Sequence, residues 1–168
     1  LNSFDWGMCQ IMFNYMEDRK WEKYIKYAHE KGIAVVVMEP LLGGKLACRQ
    51  PEPVRKVWRE SAIDRNPVEW ALKWVYNYPE VTLALSGMST MDQVKDNVRI
   101  AEDSSPNALS ENELQTIEKV RAAYESLIKV KCTGCKYCQP CPNNVSIPQI
   151  FEYYNNASAY NANMESSK

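Results

Sequence analysis

The chain has 168 residues, 45% apolar and 24% charged, a balance that suits one folded core with a small appendage and excludes disorder throughout. With 20 Lys and Arg against 21 Asp and Glu, the net charge of −1 leaves no electrostatic footprint for nucleic acid or an anionic membrane. The longest apolar run, residues 33–38, is far short of the ~20 residues that cross a bilayer, and no basic-then-apolar leader opens the sequence, so a cytoplasmic protein is expected.

After a turn-like opening with Phe4, Asp5, Trp6 and Gly7, the run Met8-Cys9-Gln10-Ile11-Met12-Phe13 has the short apolar pattern of a buried parallel strand. A helix follows, because Trp21, Tyr24, Ile25 and Ala28 recur at helical spacing between charged neighbours and Gly32 supplies a stop. The β-branched run 33–38 is a second strand, closed by Glu39-Pro40 and the turn Leu41-Leu42-Gly43-Gly44-Lys45. Residues 51–64 are polar and predict a loop with a short helix around 54–60. Asn66-Pro67 reads as an N-cap followed by proline in the first turn, with Val68, Ala71, Leu72 and Val75 as the apolar face and an end near Tyr78-Pro79. Residues 81–85 predict a third strand, then Ser86-Gly87-Met88-Ser89-Thr90 and a helix facing inward through Met91, Val94, Val98 and Ala101. Ser110-Glu111-Asn112-Glu113 has the form of a capping box, opening a helix of about four turns through Leu114, Ile117, Val120, Tyr124 and Leu127.

Three strands alternating with helices, with no hairpin dipeptide between them, imply βα units, a parallel sheet and the α/β class. Both sheet edges would be open, which predicts either self-association through those edges or an N-terminal portion preceding Leu1. After Val130 the apolar periodicity gives way to Cys, Pro and Gly, placing the domain boundary between residues 1–130 and 131–168.

Four of the six cysteines, Cys132, Cys135, Cys138 and Cys141, fall within ten residues at steps of three, and Pro142 follows the last. Such clustering argues for metal and not for disulfides. The spacing resembles the bacterial ferredoxin run that wraps an iron-sulfur cube, with a last gap of two residues instead of three, so the fourth ligand is Cys141 or a thiolate from elsewhere. Zinc held by the same four thiolates is the alternative reading, although zinc frames separate two Cys pairs by a longer spacer. Beyond the cluster, Val145-Ser146-Ile147-Pro148 opens a terminal helix with Ile150, Phe151 and Tyr154, which either docks over the metal or caps the core, and the chain frays from Ala157.

Several stretches are similar to aldo-keto reductases. Met8-Cys9-Gln10-Ile11-Met12-Phe13-Asn14-Tyr15 resembles the sixth barrel strand of that family, residues 32–46 the seventh strand and its loop, residues 81–97 the eighth strand with its cofactor helix, and residues 132–142 the tail of a ferredoxin-containing, [4Fe-4S] branch. The resemblance implies about the last three βα units of a (β/α)₈ TIM barrel holding NADP or NAD across the C-terminal strand ends. On that footing Gln10 bonds the nicotinamide carboxamide and Met38 covers the nicotinamide ring. Pro40, Leu41, Gly43 and Gly44 approach the pyrophosphate. Gly87, Ser89, Thr90 and Gln93 offer a helix N-terminus to the adenosine phosphate, and Asp96 and Asn97 contact adenine. The Lys and Arg that many NADPH-dependent members place near Gly87 and Gln93 are absent.

The family's catalytic Asp, Tyr, Lys and His belong to earlier strands, so no catalytic residue is assigned, and these residues by themselves are expected to be inactive. The one histidine, His29, is expected at the surface of its helix. The implied activity of the whole protein is hydride transfer between a nicotinamide dinucleotide and a small carbonyl substrate; the alternative is an electron-transfer or structural zinc-binding module without reductase activity.

Overall fold

The computed structural model describes residues 3–48 and 50–160. Three strands, β1 (Met8–Met12), β2 (Ala34–Met38) and β3 (Leu83–Ala84), form one sheet in that order. Both pairings are parallel, with Met8 opposite Ala34, Met12 opposite Met38 and Val36 opposite Leu83, so the three C-terminal ends share one side of the sheet. Parallel neighbours need crossovers, and helices α1 (Asp18–Glu30), α2 (Glu52–Glu60) and α3 (Pro67–Tyr76) lie in them, followed by α4 (Met91–Glu102), α5 (Glu111–Ser126) and α6 (Ile147–Tyr160).

The third strand is shorter than residues 81–85. Thr82 replaces one rung of the ladder with its own hydroxyl, which accepts from the Val35 amide at 3.1 Å, and backbone bonds from Thr82 to Val35 and from Leu85 to Val37 flank the two-residue core.

The chain divides into two compact units: Leu1–Cys48 with Asp64–Ile117, and Arg49–Ile63 with Glu118–Lys168. In the first, α1 packs on β1 and β2, and α3 packs on α4. Its core is Val35 and Val37 from β2, Ile25 and Ala28 from α1, and Trp70, Ala71, Trp74 and Val75 from α3. Trp74 lies 5.0 Å from Phe13 and 4.9 Å from Tyr78 between ring centroids, so an aromatic cluster closes the core next to the sheet. His29 is exposed, as expected.

Helix starts follow the sequence closely. The Asn66 side chain accepts from the Glu69 amide at 2.8 Å, and Glu113 and Ser110 exchange the two bonds of a capping box, at 2.7 and 3.3 Å. Helix faces do not follow as well. On α4, Met91 is 66% exposed and Val98 and Ala101 are also exposed, while Ile100 is fully buried with Val94 and Asn97 half-buried beside it. The polar tethers Asn97 to Ser86 and Arg99 to Glu69 set the rotation of this helix, and they override the stripe read from apolar residues alone. On α5 the buried stripe runs through Glu113, Thr116, Ile117, Val120, Arg121 and Tyr124, leaving Leu114 outside, because Glu113 is turned inward by Ser110 and Arg65.

In the second unit, Tyr124 and Tyr160 stack at 5.1 Å and Val54, Val120 and Ala159 are buried. Helix α6 continues past Ala157 to Tyr160, so the expected fraying does not begin there; residues 161–168 lie outside the described residues. Its expected apolar face is largely open, with Ile150 and Tyr154 exposed and Phe151 half-buried, and burial is concentrated at its C-terminal end.

Candidate functional site

The chain leaves β2 through an unusual turn. Glu39, Leu42, Gly43 and Gly44 all have positive φ, at 53°, 49°, 61° and 84°, so most of the turn is left-handed. Leu42 bonds back to Glu39 and Leu46 to Leu41, and the fully buried Leu46 anchors the loop. Asn14, buried just beyond β1, steadies the same point: its amide donates to the Glu39 carbonyl at 3.1 Å while its oxygen accepts from the Met16 amide at 3.0 Å. A non-glycine residue held in the left-handed region, as Glu39 and Leu42 are, costs about 1–3 kcal/mol, so such a turn persists where surrounding bonds fix it.

This turn and the loop after β3 form a cleft of about 390 Å³ lined by Glu39, Pro40, Leu41, Gly43, Gly44, Leu85, Ser86 and Gly87. The cleft stands at the C-terminal ends of β2 and β3, where strand-end loops converge in parallel α/β folds. At Gly43, Gly44 and Gly87 an added Cβ would meet no protein atom within 4 Å. The glycines therefore leave backbone open toward space that the protein does not fill. Gly87 does so without a positive φ, so nothing in the backbone itself demands glycine there.

Of the residues expected to hold a dinucleotide, Pro40, Leu41, Gly43, Gly44 and Gly87 come together in this cleft. Gln10 and Met38, from neighbouring strands, touch each other, the Gln10 amide donating to the Met38 sulfur at 3.4 Å. Met38 directly precedes the cleft-lining Glu39, so the expected nicotinamide pair adjoins the cleft in the chain. Ser89, Thr90 and Gln93 form a capping box at the start of α4: the Gln93 side-chain oxygen accepts from the Ser89 amide at 2.8 Å and the Thr90 amide at 3.3 Å, and Thr90 Oγ accepts from the Gln93 amide. Asn97 donates to Ser86 Oγ at 3.0 Å and so ties α4 to the cleft wall, while Asp96 is exposed. Asn14 and Ser86 were not singled out from the sequence; a buried asparagine after a strand and a serine before a glycine carry no periodic signal.

The cysteine segment is built differently. Its base is pinned by Asn155 of α6, which accepts from the Lys129 and Val130 amides at 3.1 and 3.0 Å and donates to the Val130 carbonyl at 2.7 Å. Left-handed Gly134 and Lys136 turn the loop between the thiols. Cys132, Cys135 and Cys138 are exposed, Cys141 is half-buried, and Tyr137 is 95% exposed. The Tyr137 backbone and then the Thr133 hydroxyl, both bonded to the Cys135 sulfur, hold that thiol below its ordinary range. Burial pushes the Cys9 thiol the other way, as expected of a small apolar filler. Among the described residues no three Cys, His, Asp or Glu side chains stand close enough together to hold a metal. The donor set therefore suits a thiolate-bound metal, while the geometry does not gather it.

Comparison with known proteins agrees with the parallel α/β fold. The chain is 32% identical to the holo form of aldo-keto reductase AKR11C1 from Bacillus halodurans, with a TM-score of 0.52 over 66% of this chain and 41% of that one. For the apo form the figures are 30%, 0.55, 70% and 44%. An uncharacterised oxidoreductase from Schizosaccharomyces pombe is 35% identical over 92 residues, 55% of this chain and 29% of the relative. The chain thus aligns with less than half the length of each of these relatives, and its three-stranded sheet is like a portion of the α/β fold of the two aldo-keto reductase structures. Residues 2–122, which include the whole cleft, match the aldo/keto reductase family, and the chain belongs to that family.

Proposed function

We propose that the chain forms the dinucleotide-holding part of an NAD(P)-dependent oxidoreductase, a cytoplasmic protein whose whole length carries out hydride transfer to or from a small carbonyl or alcohol. The observation that carries this reading is the glycine-lined cleft at the tips of β2 and β3, open where a phosphate-bearing ligand approaches backbone. When bound, the dinucleotide supplies or accepts the hydride. The residues of this chain bind and orient it. Gln10 has a side-chain amide able to fix the nicotinamide carboxamide, Met38 covers the ring, the Pro40 to Gly44 turn and Gly87 receive the pyrophosphate, Ser89, Thr90 and Gln93 shape the start of α4 near the adenosine end, and Asp96 and Asn97 flank the adenine. The proton transfer at the carbonyl is assigned to barrel strands outside this chain, in keeping with its alignment to less than half of its relatives.

Residues 1–130 then make the barrel portion, and residues 131–168 an iron-sulfur segment with its terminal helix. Four thiolates repel one another and gather only around a cation, so ligand binding and loop closure are coupled. Cys132, Cys135, Cys138 and Cys141 would hold the metal, supported by their spacing and by the lowered Cys135 thiol.

Calorimetric titration with NADH and NADPH tests the cleft. Binding tighter than about 1 mM, lost in Gly87→Val while thermal stability is kept, is the expected result. Gly87 is not left-handed and a Cβ there meets no atom within 4 Å, so Gly87→Val adds bulk at the cleft wall without demanding a strained φ, and unaltered binding in that variant, or no binding in the native chain, would overturn the reading.

A further inference from the structure

The charge of the chain is unevenly spread. From Ser126 to Phe151 there is no Asp or Glu, although the sequence holds 21 of them, and the same stretch carries Lys129, Lys131 and Lys136. All three lysines are exposed, and among the described residues none of them is in an ion pair. Hydrogen bonds within the second unit hold them in place. Asn155 of α6 binds the backbone at Lys129 and Val130, and the Gln139 side chain donates to the Val145 carbonyl at 2.9 Å. The loop is thus fastened at its base and again near the start of α6.

Unpaired lysines by themselves make an ordinary solvated face. Here they share the surface with aromatic rings left in water: Tyr137 is 95% exposed in the loop, and Tyr153 and Tyr154, which adjoin Asn155 on α6, are exposed as well. Tyrosine is enriched in protein interfaces, because its ring supplies large, rigid contact area with a polar end. The chemistry of the partner follows from what the face lacks. No arginine occurs after Arg121, so the planar forks that grip phosphates bidentately are absent. Three lysines also fall short of the roughly four to eight basic residues that hold a segment to an anionic membrane. Separate point charges among tyrosines suit carboxylates interspersed with apolar side chains. We propose that the loop face of the second unit docks an acidic protein segment, its carboxylates meeting Lys129, Lys131 and Lys136 and its apolar residues covering Tyr137. Neither the dinucleotide cleft nor a metal on the thiols is needed for this docking.

Calorimetry of the full chain with a synthetic peptide in which glutamates alternate with leucines is the test, with bound metal assayed in the same sample. Binding tighter than about 1 mM at low salt is expected. It should weaken as added salt shortens the screening length to ~3 Å near 1 M. One charge pair at ~4 Å in water is worth about fivefold in affinity, so Lys131→Gln and Lys136→Gln should each cost up to about fivefold. Lys95→Gln, the same charge change at an exposed position of α4 in the other unit, should cost nothing. Tyr137→Ala should weaken binding at high salt too, because ring contact is not screened. Circular dichroism confirms that these surface variants stay folded. Four thiolates outweigh the charge of a divalent ion, so a metal-loaded sample should bind the peptide more weakly, and tighter binding on loading would overturn the role of charge. No binding by the native chain, or an affinity unmoved by all three loop substitutions, would overturn the docking face. Tighter binding of a single-stranded oligonucleotide or of phosphatidylserine vesicles than of the glutamate peptide would overturn the acidic partner.

Discussion

The strand-tip cleft and the cysteine loop both carry residue types with strong chemical meaning, yet they are held in opposite ways. Around the cleft, the turn after β2 is backed by the buried Val35, Val37 and Leu46, and the loop after β3 is tied to α4 by the hydrogen bond from Asn97 to Ser86. Around the thiols, Cys132, Cys135 and Cys138 face solvent, and the hydrogen bonds of Asn155 tie down the base of the loop but not its tip. A pocket for a flexible organic ligand gains from walls that stand ready before binding. A four-thiolate metal site cannot be assembled in advance at the same cost, since its ligands are brought together by the ion they bind.

The comparison predicts a steep gradient of mutational cost, and its top lies in the aromatic cluster. Trp74 contacts Phe13, Tyr15 and Tyr78 and is nearly inaccessible to solvent, so Trp74→Ala should destabilise the protein by about 3–5 kcal/mol, read from urea unfolding followed by far-UV circular dichroism. A loss under about 1 kcal/mol would mean that the cleft is not supported by packing in the way its burial implies. Next comes Asn14. Its removal orphans the Met16 amide and frees the left-handed Glu39, and Asn14→Ala should cost about 1–3 kcal/mol while also weakening dinucleotide binding. If stability drops and binding is untouched, Asn14 serves the core alone.

The two regions were also unequally legible in the sequence. The strands, their order and their parallel sense were visible because β-branched runs such as 33–38 alternate with helices of clear period, and the N-caps Asn66 and Ser110 announced themselves by residue type. The glycines of the cleft were visible for the same reason that they matter: Gly43 and Gly44 sit where the chain must turn left-handed. What remained hidden depends on partners distant in the chain. The inward turn of Glu113 needs Arg65, 48 residues away, and the exposure of Met91 and Val98 follows from tethers through Asn97 and Arg99. In the cysteine segment the spacing of the thiols was legible, but spacing fixes donor identity and not position. Asn155, which pins that segment, carries no pattern in the sequence at all.

A smaller effect separates packing from charge within the first unit. Burial alone would raise the Glu113 carboxyl, but the Ser110 hydroxyl and amide and the Arg65 guanidinium outweigh it and hold the group below the ordinary carboxylate range. A carboxylate whose folded value lies below its unfolded value of about 4.3 contributes stability above that pH and loses it as the pH falls through the folded value. Urea midpoints should therefore fall below about pH 4, and Glu113→Gln should flatten part of that slope while lowering stability at neutral pH. An unchanged acid limb in the variant would assign the pH dependence to other carboxylates.

The smallest expected change is at the cysteines, and there the prediction is a near-zero with a condition attached. If the thiols are held by chemistry and not by packing, replacing Cys132, Cys135, Cys138 and the half-buried Cys141 by serine removes little buried volume, and in metal-free protein each substitution should stay within ±0.5 kcal/mol. The condition is metal. A ligand that binds the folded loop stabilises it by mass action, so anaerobic reconstitution with iron and sulfide should raise the thermal midpoint of the native chain and leave the serine variant where it was. Bound iron and acid-labile sulfide in near-equal amounts identify the cluster; bound zinc without visible colour identifies the structural alternative. Stabilisation of the serine variant as well would place the metal elsewhere, and a large cost of the substitutions in metal-free protein would show that the thiol loop is packed after all and remove the contrast with the cleft.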